Sequence, residues 1–300
     1  MAALLTTVRT WAEMIKFAHS LFALPFALLA TFLAARPQLP TWSQVGLIVL
    51  CMVSARSAAM TFNRIVDLRW DAANLRTAQR ALPRGLITGK AAWAFFGAAC
   101  AVFVLACAGF LWLQRNPWPL RLSVPVLALL CGYSFTKHFT RWSHLILGFG
   151  IACAPVAAWI AVNPVTLGAP AWLLLVAVTF WIGGFDLIYA CQDTEFDRQH
   201  GLYSVPAQMG VAAALWLARA CHLLSIGALL AVGGTAHLGV LYFIGVVIAA
   251  ALLVIENALV SPRDLSRVNV AFFTVNGIVG LMLGILGVLD VIGSCLPSPH

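Results

Sequence analysis

The sequence predicts an all-α, polytopic membrane bundle of about nine transmembrane helices. Of 300 residues, 62% are hydrophobic and only 9% are charged, whereas soluble domains carry about 25% charged residues. Apolar runs long enough to cross a bilayer as a helix, which takes about 20 residues, recur along the whole length. The short alternating segments of a membrane β-barrel do not occur.

Nine spans can be read in order. The first, 17–35, follows Arg9 and Lys16 and is closed by Arg36. The second, 43–62, runs into Asn63-Arg64, and the third, 91–113, lies between Lys90 and Arg115. The fourth, 121–136, is short, could extend at either end, and stops at Lys137. Span 143–162 follows Arg141, and 170–190 runs into an acidic stretch. Spans 211–233 and 238–257 come next, and 269–292 follows Arg263 and Arg267.

With the N-terminus placed inside, thirteen Lys and Arg residues fall in inner segments and three, Arg36, Arg115 and Arg121, in outer ones. Such a bias sets orientation, so the N-terminus is expected to be cytoplasmic, in a bacterial inner (plasma) membrane. The chain is read as a single domain over 1–300, with two weakly repeated halves, 13–138 and 143–257, and a final helix at 269–292. The net charge of +8 would suggest nucleic acid in a soluble protein. Here the basic residues lie between apolar spans, so lipid headgroups or phosphates come first and no nucleic-acid partner is expected. The eight cysteines form no CxxC pair and the seven histidines show no metal-ligand spacing.

Six of the ten acidic residues lie in two stretches, each at the inner end of a span. In the first, Asn63, Asp67 and Asp71 are spaced by four, one face of a helix that continues past residue 62. Two carboxylates and an amide oxygen on one edge suit Mg²⁺, which takes few carboxylates and completes its shell with water and substrate phosphate. In the second, Asp186, Tyr189, Asp193 and Asp197 fall on one helical face, while Glu195 points elsewhere and is expected to be solvated. Loop charges that merely keep a membrane edge wet would be scattered, without this spacing.

Around the carboxylates stand Arg64, Arg69, Arg76, Arg80, Arg84, Lys137 and Arg141. Any one of them could serve topology alone, but arginine forks and lysine ammonium groups also suit phosphate oxygens. Carboxylates for metal and basic groups for phosphate point to a metal-bound diphosphate, its apolar chain entering from lipid. Arg56 lies seven residues before Asn63, about two turns deeper on the same face. A charge there needs an anionic partner: a motif aspartate, the diphosphate, or the carboxylate of an acidic substrate.

Taken together these residues resemble the UbiA superfamily of intramembrane aromatic prenyltransferases. Asn63-Arg64-x-x-Asp67-x-x-x-Asp71 with Arg76-Thr77-x-x-Arg80, Pro83 and Gly85 carries the first motif, and Asp186-x-x-Tyr189-Ala190-x-x-Asp193-x-x-x-Asp197 with Gly201 and Ser204 the second. Tyr133 to Lys137 is similar to a tyrosine-to-lysine loop of the family, and Lys16-Phe17-x-His19 with Leu24-Pro25-Phe26 to its N-terminal signature. Leu75 and His138 depart from the family pattern; the second leaves out a fixed cation beside Lys137.

The resemblance implies a nine-helix bundle around a central cavity, with the two aspartate motifs holding Mg²⁺ and the diphosphate of a polyprenyl donor. The branch it is most similar to is the 4-hydroxybenzoate polyprenyltransferases of ubiquinone biosynthesis. The expected roles follow. Asp67, Asp71, Asp193 and Asp197 bind metal, with Asn63 beside them; Arg64, Arg76, Arg80, Lys137 and Arg141 clamp phosphate. Asp186, Tyr189 and Arg56 hold an aromatic acid acceptor. A menaquinone-pathway enzyme acting on a dihydroxynaphthoate would share every motif. A secondary transporter would instead place its ionisable groups near the bilayer midplane.

Overall fold

The structure, a computed structural model, describes residues 9–15 and 20–296. Among these residues the chain is helical with no strand, apart from an isolated bridge between Ser261 and Asp264. The helices are α1 (Ser20–Ala35), α2 (Trp42–Val66), α3 (Leu68–Ala73), α4 (Gly89–Gln114), α5 (Trp118–Gly132), α6 (Ser143–Val162), α7 (Ala169–Ala190), α8 (Thr194–Gln199), α9 (Val205–Met209), α10 (Val211–Thr235), α11 (Val240–Ala258) and α12 (Asn276–Cys295). A 3-10 turn over Tyr133–His138 follows α5, another over Cys191–Asp193 joins α7 to α8, and a π-helix over Val270–Val275 opens α12. Lys16, Phe17 and His19 of the N-terminal signature lie outside the described residues.

Among the described residues, eight helical segments are long and apolar enough to cross a membrane, and the 16-residue α1 is a shorter apolar helix. The nine spans read from sequence fall on these nine segments, residues 17–19 of the first span lying outside the described residues. Many of their large side chains face outward: Leu105, Trp112, Leu223, Val247 and Ile285 are all more than half exposed. Water would penalise such a surface, whereas hydrocarbon accepts it once the backbone is satisfied within the helix.

Two compact units are formed, one by Val49–Phe135 with the N-terminal residues through Ser20, the other by Leu21–Ile48 with Thr136–His300. In the first, α4 begins at Thr88, whose hydroxyl accepts a bond from Ala91 N (3.2 Å), an N-cap that satisfies one of the orphan donors of the first turn. The α4 side chains Phe103 and Cys107 pack with Ala55 and Cys51 of α2 and with Val126 and Leu127 of α5. Leu82 and Ile87 are buried with Met14 and Ala92, so apolar contacts anchor the loop between α3 and α4 at both ends of its second half.

In the second unit, α7 packs against α6 on one side and α10 on the other. Two glycines permit this. A Cβ on Gly148 of α6 would sit 2.4 Å from Thr179 O, and one on Gly184 of α7 would sit 2.4 Å from His222 Cδ2 of α10. Small residues that let helix backbones approach are the main packing device where lipid removes the hydrophobic drive. Buried polar groups tie the helices further. Trp181 Nε1 donates to Asn276 Oδ1 (2.7 Å), and Asn276 Nδ2 donates to the fully buried Glu256 (2.7 Å). Asp290 of α12 accepts a bond from Gly239 N (2.6 Å) at the start of α11.

Candidate active site

The first acidic stretch is positioned by continuity of the helix. Asp67 N bonds to Asn63 O (2.9 Å) and Asp71 N to Asp67 O (2.8 Å), so the i to i−4 ladder carries from α2 into α3 and stacks the three side chains one turn apart. Asp67 and Asp71 are only 5% and 6% exposed, a burial that carboxylates do not tolerate without partners. Asn63 Nδ2 donates to Asp67 Oδ2 (3.1 Å) and also lies 3.4 Å from Ser134 Oγ. Arg80 Nη1 lies 2.6 Å from Asp71 Oδ1, and Arg64 Nη1 is 3.8 Å from Asp71 Oδ2. Thr77 Oγ1 donates to the carbonyl of Asp71 (3.0 Å), which turns the following loop back so that Arg80 reaches the motif.

The second stretch is built in three pieces. Asp186 and Tyr189 lie on the last turns of α7, Asp193 ends the 3-10 turn, and Asp197 is in α8. The single straight helical face that the spacing suggested is thus interrupted at Cys191–Asp193, where the tighter winding shifts the register. Asp197 accepts a bond from Ser204 Oγ (2.7 Å), and Leu202 N bonds back to Asp197 O (2.9 Å). Tyr203 N donates to Lys137 O (2.7 Å), which holds the loop after α8 against the Lys137 turn. Tyr189 packs on Phe272 of the π-helix, ring centroids 4.3 Å apart. Asp186 is bound by His144 Nδ1 of α6 at 2.8 Å.

Asn63, Arg64, Asp67, Asp71 and Arg80 thus form one bonded cluster in the first unit. Arg56, earlier in α2, is half-buried, with a buried Nε that has no hydrogen-bond partner. Arg76 and Arg141 are exposed, the latter 5.4 Å from the ring of Trp142. Glu195 is exposed and accepts a bond from Gln199 (2.9 Å). Among the described residues, no three or more His, Cys, Asp or Glu side chains are gathered into a group that could hold a metal. Sequence reasoning missed His144. The signal available was a histidine in the first turn of a span that follows the Lys137 loop.

Comparison with known proteins shows the family of the chain. The UbiA prenyltransferase family matches residues 23–278. The 4-hydroxybenzoate octaprenyltransferase of Aliivibrio fischeri (strain MJ11) is 33% identical over 268 residues, covering 88% of this chain and 89% of that one. The protein of the same name from Vibrio parahaemolyticus is 31% identical over 248 residues, covering 82% and 84%. Among solved structures, the apo UbiA homologue of Aeropyrum pernix K1 superposes with a TM-score of 0.81 at 30% identity, covering 91% of this chain and 98% of that one. A UbiA homologue from Archaeoglobus fulgidus, solved with GPP and Mg²⁺, shares the fold with a TM-score of 0.73 at 19% identity, covering 95% and 99%. With its apolar helices and its two aspartate motifs, the chain belongs to the UbiA prenyltransferase family and is a multi-pass membrane transferase.

Proposed function

We propose that this enzyme transfers a polyprenyl group from a polyprenyl diphosphate to the ring of an aromatic acid, with 4-hydroxybenzoate as the acceptor, as a step of ubiquinone biosynthesis. The observation that carries the reading is the buried Asn63–Asp67–Asp71 ladder with Arg80 and Arg64 on its outer carboxylate. Carboxylates beside guanidinium groups at the end of an apolar span suit a metal diphosphate on a lipid tail. The curated relatives' acceptor, 4-hydroxybenzoate, supplies the ring.

The donor set fits a divalent cation, Mg²⁺ by its all-oxygen character: Asp71 Oδ2 is buried and makes no hydrogen bond. Each aspartate motif, Asp67 with Asp71 and Asp193 with Asp197, would bind a divalent cation, with Asn63 orienting Asp67. When bound, the ion supplies positive charge that makes the diphosphate a better leaving group.

The protein's own groups do the rest. Arg64, Arg76, Arg80, Lys137 and Arg141 bind phosphate oxygens and fix the donor's orientation. The bond between C1 of the prenyl chain and the diphosphate oxygen breaks, and its electron pair leaves with the diphosphate. The ring carbon ortho to the hydroxyl forms the new bond to C1, and loss of its proton restores aromaticity. Apolar side chains keep water from the allylic cation. Arg56 binds the acceptor's carboxylate, while Asp186 and Tyr189 orient the ring. The thirteen-to-three distribution of basic residues supports a cytoplasmic N-terminus in a bacterial inner membrane, with these groups on the cytoplasmic side.

The test is an acceptor panel on membranes containing the enzyme and a polyprenyl diphosphate, with product mass read by spectrometry. Prenylated 4-hydroxybenzoate is the expected product; prenylation of a dihydroxynaphthoate alone would move the enzyme to the menaquinone pathway. Asp67→Asn and Asp193→Asn should each lower turnover at least 100-fold, and near-normal activity in either would remove the metal assignment.

A further inference from the structure

The second unit contains a pair that the metal and phosphate roles do not use. His144 stands in the first turn of α6 and Asp186 one turn before the end of α7, with Nδ1 and Oδ2 2.8 Å apart. The two partners are not equivalent. The His144 side chain is 7% exposed and that of Asp186 20%, so the pair is closed on the histidine side and open on the carboxylate side. His144 Nε2 is buried and has no hydrogen-bond partner. Because a carboxylate oxygen can only accept, Nδ1 carries the hydrogen of the shared bond. Nε2 then costs least as the bare nitrogen, since an N–H there would be a buried donor without an acceptor. One Asp186 oxygen is therefore held by a fixed donor, and the other remains for something else.

We infer that His144 is a positioning residue for the acceptor: it fixes Asp186 so that the free carboxylate oxygen receives the hydrogen bond of the acceptor's phenolic hydroxyl. This rests on the proposed phenolic acid substrate. Tyr189, three residues further along the same helix, is seated on Phe272 and gives the ring an aromatic neighbour on the same turn. A simple tie between α6 and α7 would not require the ionisable pair, because the glycine contacts already bring these helices together. With His144 absent, Asp186 loses its donor and its rotamer, and a hydroxyl that needs a directed acceptor binds less well. An acid lacking the hydroxyl does not sense the change.

The experiment measures binding of 4-hydroxybenzoate and of benzoate to the purified full-length enzyme by titration calorimetry. Wild type, His144→Ala and His144→Asn are compared, with a thermal melt on each. The expected result is that wild type prefers 4-hydroxybenzoate and that His144→Ala weakens it about tenfold, the worth of one hydrogen bond to a charged group. Benzoate binding should be unchanged, and His144→Asn, whose amide can donate to Asp186, should recover part of the loss. Equal weakening of both ligands, no weakening of either, or a wild type indifferent to the hydroxyl overturns the inference. Product analysis with wild type judges the proposed reaction separately. A wild type that prefers 4-hydroxybenzoate but prenylates a different phenol would remove the substrate assignment and leave the role of His144 standing.

Discussion

Arg80 Nη1 lies 2.6 Å from Asp71 Oδ1, which joins a residue expected to grip phosphate to one expected to grip metal. The pair makes physical sense before substrate arrives. Asp71 is almost fully buried, and the guanidinium offsets part of the cost of its charge. In the proposed reaction a cation held by the carboxylate would take over that role, and the guanidinium would be available to the diphosphate. Arg80→Ala should therefore lower kcat/KM for the prenyl diphosphate by about 100-fold, roughly 2.7 kcal/mol. Arg80→Lys should recover only part, because the ammonium keeps the charge and loses the fork. Steady-state kinetics with varied donor at saturating acceptor checks this; unchanged kcat/KM in Arg80→Ala would show the pair to be structural only.

Metal dependence should be sharp. Membranes washed with a chelator are expected to lose more than 90% of their turnover, and added Mg²⁺ should restore it. Asp71→Asn removes one charge from the donor set, so the Mg²⁺ concentration for half-maximal rate should rise at least tenfold, by the linkage between ligand charge and cation affinity. A chelator-insensitive wild type would exclude this chemistry.

The sequence made the helices legible because lipid demands long apolar runs, and each of the nine spans falls on an apolar helix. The Asn63–Asp67–Asp71 face was legible for the same local reason: four-residue spacing has one meaning in a continuous helix, and the backbone ladder is continuous there. The Asp186 to Asp197 spacing was read by the same rule and is less regular, because the 3-10 turn at Cys191–Asp193 resets the winding. What no local pattern could give is the partner of each charge. Arg80 meets Asp71 across a loop, and His144 meets Asp186 across 42 residues. Such choices are made by packing, here by buried Leu82 and Ile87 and by glycines that bring α6 and α10 onto α7.

Gly184 is predicted to be intolerant of even a methyl group. A Cβ would meet His222 Nε2 at 2.5 Å and the Ala218 carbonyl at 3.2 Å, so α10 must move away from α7. Gly184→Ala should cost about 1–3 kcal/mol, the range for overpacking, and should lower activity because Asp186 lies two residues on. Adding His222→Ala removes the nearer obstacle, so the double variant should regain part of the lost thermal stability, measured by melting in detergent. Additive losses in the two variants would show that the ring contact is not what limits the approach.

Asp290 caps a helix to which it does not belong. Its Oδ2 accepts from Gly239 N at 2.6 Å and its Oδ1 from Tyr242 N at 3.5 Å, two amides at the start of α11 that have no partner within their own helix. The negative charge also faces the positive end of the α11 dipole. Glycine is needed at 239 for the approach, since a Cβ there would stand 2.8 Å from Asp290 Oδ1. Asp290→Ala should destabilise the protein by about 1–2 kcal/mol, as for other lost caps. Asp290→Asn should cost less, because the amide oxygen still accepts while the charge is gone. Neither change touches the aspartate motifs, so turnover per folded enzyme should stay within about twofold of wild type while the melting temperature falls. A fall in turnover without a change in melting would assign Asp290 to the reaction instead of to the fold.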